Sequence, residues 1–126
     1  MYSKNKKNFS LETIEKIVDR DSIGWGPTCQ ACNVEWGLFE HIPHHVFFKS
    51  QLGLPCVAWA ENGVLIHMEC HRIIHHMGGD IAKKYDKKLK YDAIQRFKKL
   101  VGTKLSQSDF DELVRIYRSR GYGSMI

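Results

Sequence analysis

Apolar residues recur at helical spacing in three stretches of the chain. In "FSLETIEKIVDRD" the residues Leu11, Ile14, Ile17 and Val18 fall on one face, Ser10 precedes them as an N-cap and Glu12 stands in the first turn. This pattern predicts an amphipathic helix over residues 10–21, whose apolar stripe must pack on something downstream. "DIAKKYDKKLKYDAIQRFKKLVG" and "SQSDFDELVRIYRSRG" predict two further helical segments across residues 80–120, closed by Gly102 and Gly121. Phe110, Leu113, Val114, Ile116 and Tyr117 leave the last of these apolar on one side, which suits either capping the core or a homodimer contact.

The middle of the chain has a different texture. "GWGP" at residues 24–27 breaks the first helix and leads, as a loop, into Cys29 and Cys32. From Glu35 to Val64 apolar residues mix with aromatics and "SQLGLP" interrupts them, which predicts two short strands over roughly residues 38–48 and 56–60. "MECHRIIHHMG" predicts a turn opening a short helix that Gly78 and Gly79 end. Helices flanking a small strand region make an α+β fold. A length of 126 residues and 43% apolar content suit one domain over residues 1–126 with a modest core. No run of about eighteen apolar residues occurs, and "MYSKNKKNFS" has basic residues without an apolar stretch behind them. Neither a membrane span nor a signal peptide is read, and a cytoplasmic location is expected. The net charge of +5 favours a polyanionic partner such as DNA.

The cysteines and histidines change the picture most. Cys29 and Cys32 form a C-x-x-C pair, and His67 and Cys70 repeat the same two-residue gap. A tight turn with that spacing points both side chains at one ion, so two such pairs meet the tetrahedral demand of Zn²⁺. Four protein ligands leave no open position, so this zinc is structural. Cys56 has no partner at ligand spacing and reads as a small core residue. His71 and His75 are four apart, which on a helix sets both imidazoles on one face, able to clamp one cation. His76 is rotated about 100° from His75 on such a helix and is expected in solvent.

Taken in order, "CQAC", "HHVFFKSQLG" and "ENGVLIHMECHRIIH" resemble the HNH endonuclease family over roughly residues 29–76. The resemblance implies a ββα-metal (His-Me finger) core with a structural zinc site, flanked by N-terminal and C-terminal helices. It implies His44 as a metal ligand, His45 as the general base, Asn62 as the middle letter of the motif, and His71 and His75 as further ligands of one catalytic divalent cation. His67 stands where relatives usually carry cysteine, and "GLPCVAWAE" replaces a polar loop. "EHIP" at residues 40–43 also resembles the acidic-His start of other members, which makes Glu40 the ligand and His41 the base. The passage "FFKSQLG" after His45 favours the first register. Compact proteins of this family resemble those of phages and mobile elements in bacterial hosts.

The implied chemistry is hydrolysis of DNA phosphodiester bonds. An imidazole titrates near neutral pH and can take a proton from water, while a cation neutralises charge building on the phosphorane and the leaving 3′-oxygen. Successive strand residues point to opposite faces, so His44 and His45 both reach one site only if the strand bends, and Pro43 is consistent with a bend. Asn62 is expected to bond backbone across the loop and hold the strand carrying His45. Three imidazoles favour Zn²⁺, Ni²⁺ or Mn²⁺, and Mg²⁺ prefers oxygen ligands. Lys49, Arg72, Lys83, Lys84, Lys87 and Lys88, with Lys90, Arg96, Lys98 and Lys99 behind them, form a basic track suited to DNA phosphates, although such a run is also what a solvated helix face looks like. The alternatives are a non-catalytic zinc-stabilised module that binds DNA or protein, and a hydrolase acting on a small molecule.

Overall fold

A computed structural model of the chain describes residues 9–23, 26–33, 41–47 and 55–120. The fold is α+β. Helix α1 spans Leu11–Arg20, and the Ser10 side chain accepts from the Thr13 N–H as its cap. Strands β1 (Ser22–Ile23) and β2 (Gly26–Pro27) pair antiparallel where only a loop was expected. Strand β3 (His41–His45) pairs antiparallel with β4 (Gly63–His67), and α2 (Met68–Arg72) follows β4 directly. A wide π turn over Ile73–Met77 continues α2, and Gly78 and Gly79, both at positive φ, end it. Helices α3 (Gly79–Lys98) and α4 (Gln107–Ser119) complete the chain, with Gly102 at φ 90 between them. Gly121 lies outside the described residues, and no helix among the described residues is long and apolar enough to cross a membrane.

The second strand lies at 63–67, not at 56–60. Pro55–Ala58 and Ala60–Asn62 instead form two 3₁₀ turns, which bury Cys56 and Val57. A short apolar run carries no period long enough to separate a turn with buried side chains from a strand. Gly63 is accepted into β4 because its neighbours fill the space of a side chain: a Cβ there would overlap the Ile17 methyl and come within 2.8 Å of the Phe9 ring.

The backbone of β4 shows how the pieces are held. Leu65 turns its N–H and C=O away from β3, to the Asp21 carboxylate at 2.9 Å and the Gln30 N–H at 3.0 Å. The Gly63 carbonyl accepts from Arg20, and the His67 N–H donates to Cys29 Sγ at 3.3 Å. Residues 63, 65 and 67 thus use their outer edge to bind the end of α1 and the cysteine loop, which covers an edge that would otherwise be open. Leu65 faces Pro43 in the register. Their pair is therefore of the non-hydrogen-bonded kind, and the missing proline N–H falls on the edge of β3 that no strand pairs among the described residues, so no ladder bond is lost there.

Side chains alternate accordingly. Ile42, Val64 and Ile66 face the main core with Leu89, Ala93, Ile94 and Phe97 of α3 and Leu113, Ile116 and Tyr117 of α4. Leu65 faces Phe9 and Ile17 on the other side, where α1 packs. The core stripe of α3 runs through Ala82, Asp86, Leu89, Lys90, Ala93, Ile94 and Phe97, so two charged residues occupy core positions. Lys90 is fully buried and donates to Asp86 at 2.6 Å and to the Val46 carbonyl at 2.7 Å. Arg120 binds the second oxygen of Asp86 at 3.0 Å.

Candidate metal centres and their surroundings

Two groups of donors converge on either side of α2. In the first, Cys29, Cys32, His67 and Cys70 each bring one ligand atom to within 4.8 Å of all the others. Cys29 and Cys32 sit in the turn after β2, which Asn33 ends at φ 64; His67 closes β4 and Cys70 lies in the first turn of α2. The sulfurs of Cys29 and Cys70 are 3.7 Å apart, and Cys32 Sγ is 3.4 Å from His67 Nδ1. A tetrahedral ion with Zn–S and Zn–N bonds of ordinary length requires edges of about 3.8 Å and about 3.5 Å. The four residues fit a structural zinc.

All the cysteines are free thiols. Burial acts to raise the Cys29 thiol, but the backbone N–H groups of Cys32, His67 and Ala31 together hold it below its ordinary range. Cys70 is pushed up, first by burial and then by the charge of Cys29 beside it. Thiolates crowded this closely repel one another, and a divalent cation removes that cost. Lys88, expected on the DNA track, instead closes the loop: its Nζ donates to the Gln30 carbonyl and to Asn33 Oδ1, both at 2.7 Å.

The second group is His44, His71 and His75, whose ring nitrogens also come within 4.8 Å of one another. His44 projects from β3 on the α2 side and is 2% exposed. Its ring centroid is 5.5 Å from that of His71 and 5.3 Å from that of His75, and the last two are 4.4 Å apart. Burial, followed by the neighbouring histidines, holds His44 well below the ordinary imidazole range. The same two causes lower His71 and His75. All three are thus neutral near pH 7, the form in which imidazole binds a metal.

His45 is placed apart from this group. The register of β3 runs unbroken to His45↔Gly63, so the expected bend at Pro43 is absent, and the chain turns only at Val46–Phe47. A proline whose missing donor falls outside the ladder has no need to bend the strand. The His45 side chain therefore emerges on the α1 face, where its ring stacks on Phe9 at 3.8 Å with an interplanar angle of 6°. His41 begins β3 opposite His67, and Glu40 lies outside the described residues.

Asn62 is fully buried where the chain leaves the strands. Its Oδ1 accepts from the Phe47 N–H at 2.8 Å, and its Nδ2 donates to the carbonyls of Phe47 at 3.0 Å and Val57 at 2.8 Å. With Val46 bound by the Asn62 carbonyl at 2.8 Å and by Lys90, the two residues after His45 are fixed on every side. Lys90, expected in the basic track, is instead in the core, and its place in the α3 core stripe is the sequence signal that marks it as buried.

Of the expected basic track, Lys84, Lys87 and Lys88 line one cleft on α3. Arg72 is exposed and paired with Glu69. Lys83 borders a small cleft with Asp86 and Arg120, while Lys84 and Lys87 lie beside Tyr91 and Tyr117. Lys49 lies outside the described residues. His76 is exposed and Cys56 is buried, the latter with its thiol pushed up by burial to about 11.

No protein-family model matches the chain, and no curated protein and no solved structure is significantly similar to it.

Proposed function

We propose that the protein is a metal-dependent HNH endonuclease that hydrolyses DNA phosphodiester bonds, with β3, β4 and α2 as a ββα-metal core. The observation that carries this reading is the convergence of His44, His71 and His75 from a strand, a helix and a π turn, beside a separate set of zinc ligands. A protein needing metal only for stability has no use for a second, three-ligand group with room left for water or substrate.

In this reading His44, His71 and His75 hold one divalent cation, which when bound neutralises charge on the scissile phosphate and the leaving oxygen. His45 accepts the proton of the attacking water at a ring nitrogen. In this reading His44 and His45 straddle β3, so the phosphate lies across the outer edge of that strand, meeting one residue on each side. Stacking on Phe9 restricts the His45 ring to one plane. Asn62 and Lys90 hold Val46 and Phe47, and so hold the strand end that sets His45 in place.

A second reading, a non-catalytic zinc-stabilised module that binds DNA or protein, is favoured by the position of His45 on the face opposite the histidine group. The two are separated by incubating zinc-loaded protein with supercoiled plasmid and a panel of divalent ions, alongside His45→Ala. The endonuclease reading expects nicking or linearisation by wild type and binding without cutting by the variant. Equal cutting by both removes His45 as the base and returns attention to His41. No cutting with any ion, together with one metal per chain, establishes the binding module.

A further inference from the structure

We propose that the open cleft of about 330 Å³ between α1, the Ala60–Asn62 turn and the end of α3 binds the phosphodiester backbone of nucleic acid through Lys16, Arg96 and Lys99. The choice of DNA as the polymer rests on the reading above; the site itself does not.

Lys16, Arg20, Arg96 and Lys99 bring four cations to the cleft wall, against one lining carboxylate, Glu61. Arg20 is already committed. Its Nε and Nη2 bind the two oxygens of Asp21 at 2.8 Å and 3.0 Å, and Nη1 donates to the Ala60 carbonyl at 2.7 Å. Its charge is therefore matched, and it serves as the floor of the cleft.

The other three make no close ion pair among the described residues. Lys16 makes one ion pair, with Glu12 at 3.8 Å, and both partners are exposed, so the pair contributes little. Lys99 has no ion pair among the described residues. A lysine at a helix end also complements the terminal carbonyls, which accounts for Lys99 alone. It does not account for Arg96, whose Nε donates to the Glu61 carbonyl at 3.1 Å while its buried Nη2 has no hydrogen-bond partner among the described residues. Burial and then the charge of Arg20 push its guanidinium down to about 10, despite Asp21, Asp92 and Glu61 nearby. Two guanidinium groups are thus held together against their repulsion, and an anion between Arg96 and the lysines relieves it.

The shape and position favour a polymer. The cleft is open to solvent, and Ala60 and Leu100 give it a smooth aliphatic stretch between the cations. Arg20 also donates to the carbonyl of Gly63, the residue opposite His45 in the strand register, so the cleft begins one strand pair from His45.

The test is fluorescence anisotropy of a labelled short duplex, with zinc-loaded protein and no other divalent ion, from about 50 to about 200 mM salt. Lys16→Gln/Lys99→Gln alters two exposed side chains and should leave the fold intact. Removing two phosphate contacts lowers the salt slope by about 1.8, so the loss of affinity across that range shrinks roughly twelvefold. Arg96→Gln, checked by its melting curve, should weaken binding as well. An unchanged slope and affinity in the double variant overturn the proposal. So does an equal effect of Lys83→Gln/Lys84→Gln, or binding of wild type to anionic vesicles but not to the duplex. Binding that depends on these residues in a protein that cuts no DNA leaves the cleft standing and removes the hydrolytic reading; cutting with unchanged binding does the reverse.

Discussion

Replacing Asn62 by alanine tests whether one amide holds the strand end that carries His45. The side chain makes three hydrogen bonds, all to buried backbone, and both Asn62 and Phe47 are inaccessible to solvent. Each such bond contributes about 1 kcal/mol net, and the orphaned Phe47 N–H adds a desolvation cost of about 1 kcal/mol or more. The expected loss is about 3–5 kcal/mol, a large part of the stability of a domain this size. At about 4 °C per kcal/mol, the melting temperature should fall by about 12–20 °C. The measurement is thermal unfolding followed by circular dichroism, with zinc saturating in both proteins so that metal loss does not enter. Amide exchange at Phe47 should accelerate in parallel, because its acceptor has gone. A shift below about 4 °C with Phe47 still protected would refute the reasoning, since it would mean that water or a rearranged backbone satisfies these groups equally well.

Three further outcomes follow from other parts of the molecule. Cys29→Ser should lose stoichiometric zinc and cooperative unfolding together, because binding at a clasp of this kind is folding free energy; metal analysis with a melting curve checks it, and a soluble variant that melts cooperatively contradicts it. Gly63→Ala should cost about 1–3 kcal/mol through overlap with Ile17 and Phe9, and should displace the Phe9 ring from His45, visible as a changed ring-current shift of the His45 protons. His44 is held below its ordinary 6.5, so the unfolded chain binds the proton more readily than the folded one. In protein without metal at the histidine group, stability should therefore be full above about pH 6.5 and fall as the pH drops below it. Denaturant unfolding across that range should show a smaller loss in His44→Gln, the remainder coming from His71 and His75, which are lowered as well.

The helices were readable because each satisfies its own local rules. Ser10 caps α1 and Ser106 caps α4, and their apolar stripes match the helical period. The cysteine group and the His71–His75 pair were readable as well, because a two-residue or three-residue gap restricts where side chains can point, whereas His44 was reached only through the family resemblance. The second strand was not, since "PCVA" has the composition of a strand and only tertiary contacts coil it into a turn. The fate of Lys88 was hidden, and that of Lys90 was marked only by its phase with the α3 core stripe. One closes the cysteine loop and the other lies in the core, yet both read as members of one basic run, because a lysine's surroundings are decided by elements far away in the chain. The side of β3 taken by His45 depended on whether Pro43 bends the strand, and that is settled by the hydrogen-bond phase of the partner strand.

Cys70 and His71 are consecutive, so the two donor sets share a single peptide bond at the start of α2. In the reading proposed above, an ion seated at the four-ligand set orders the turn on which the three-ligand set depends, and the converse holds by thermodynamic reciprocity. Three thiolates and an imidazole hold zinc more tightly than three imidazoles hold their ion, so loading should be sequential, with zinc first, and graded chelators should strip the histidine group at strengths that leave the cysteine group filled. Scarcity of zinc in a cell would then silence the second site without any change in the ion that serves it.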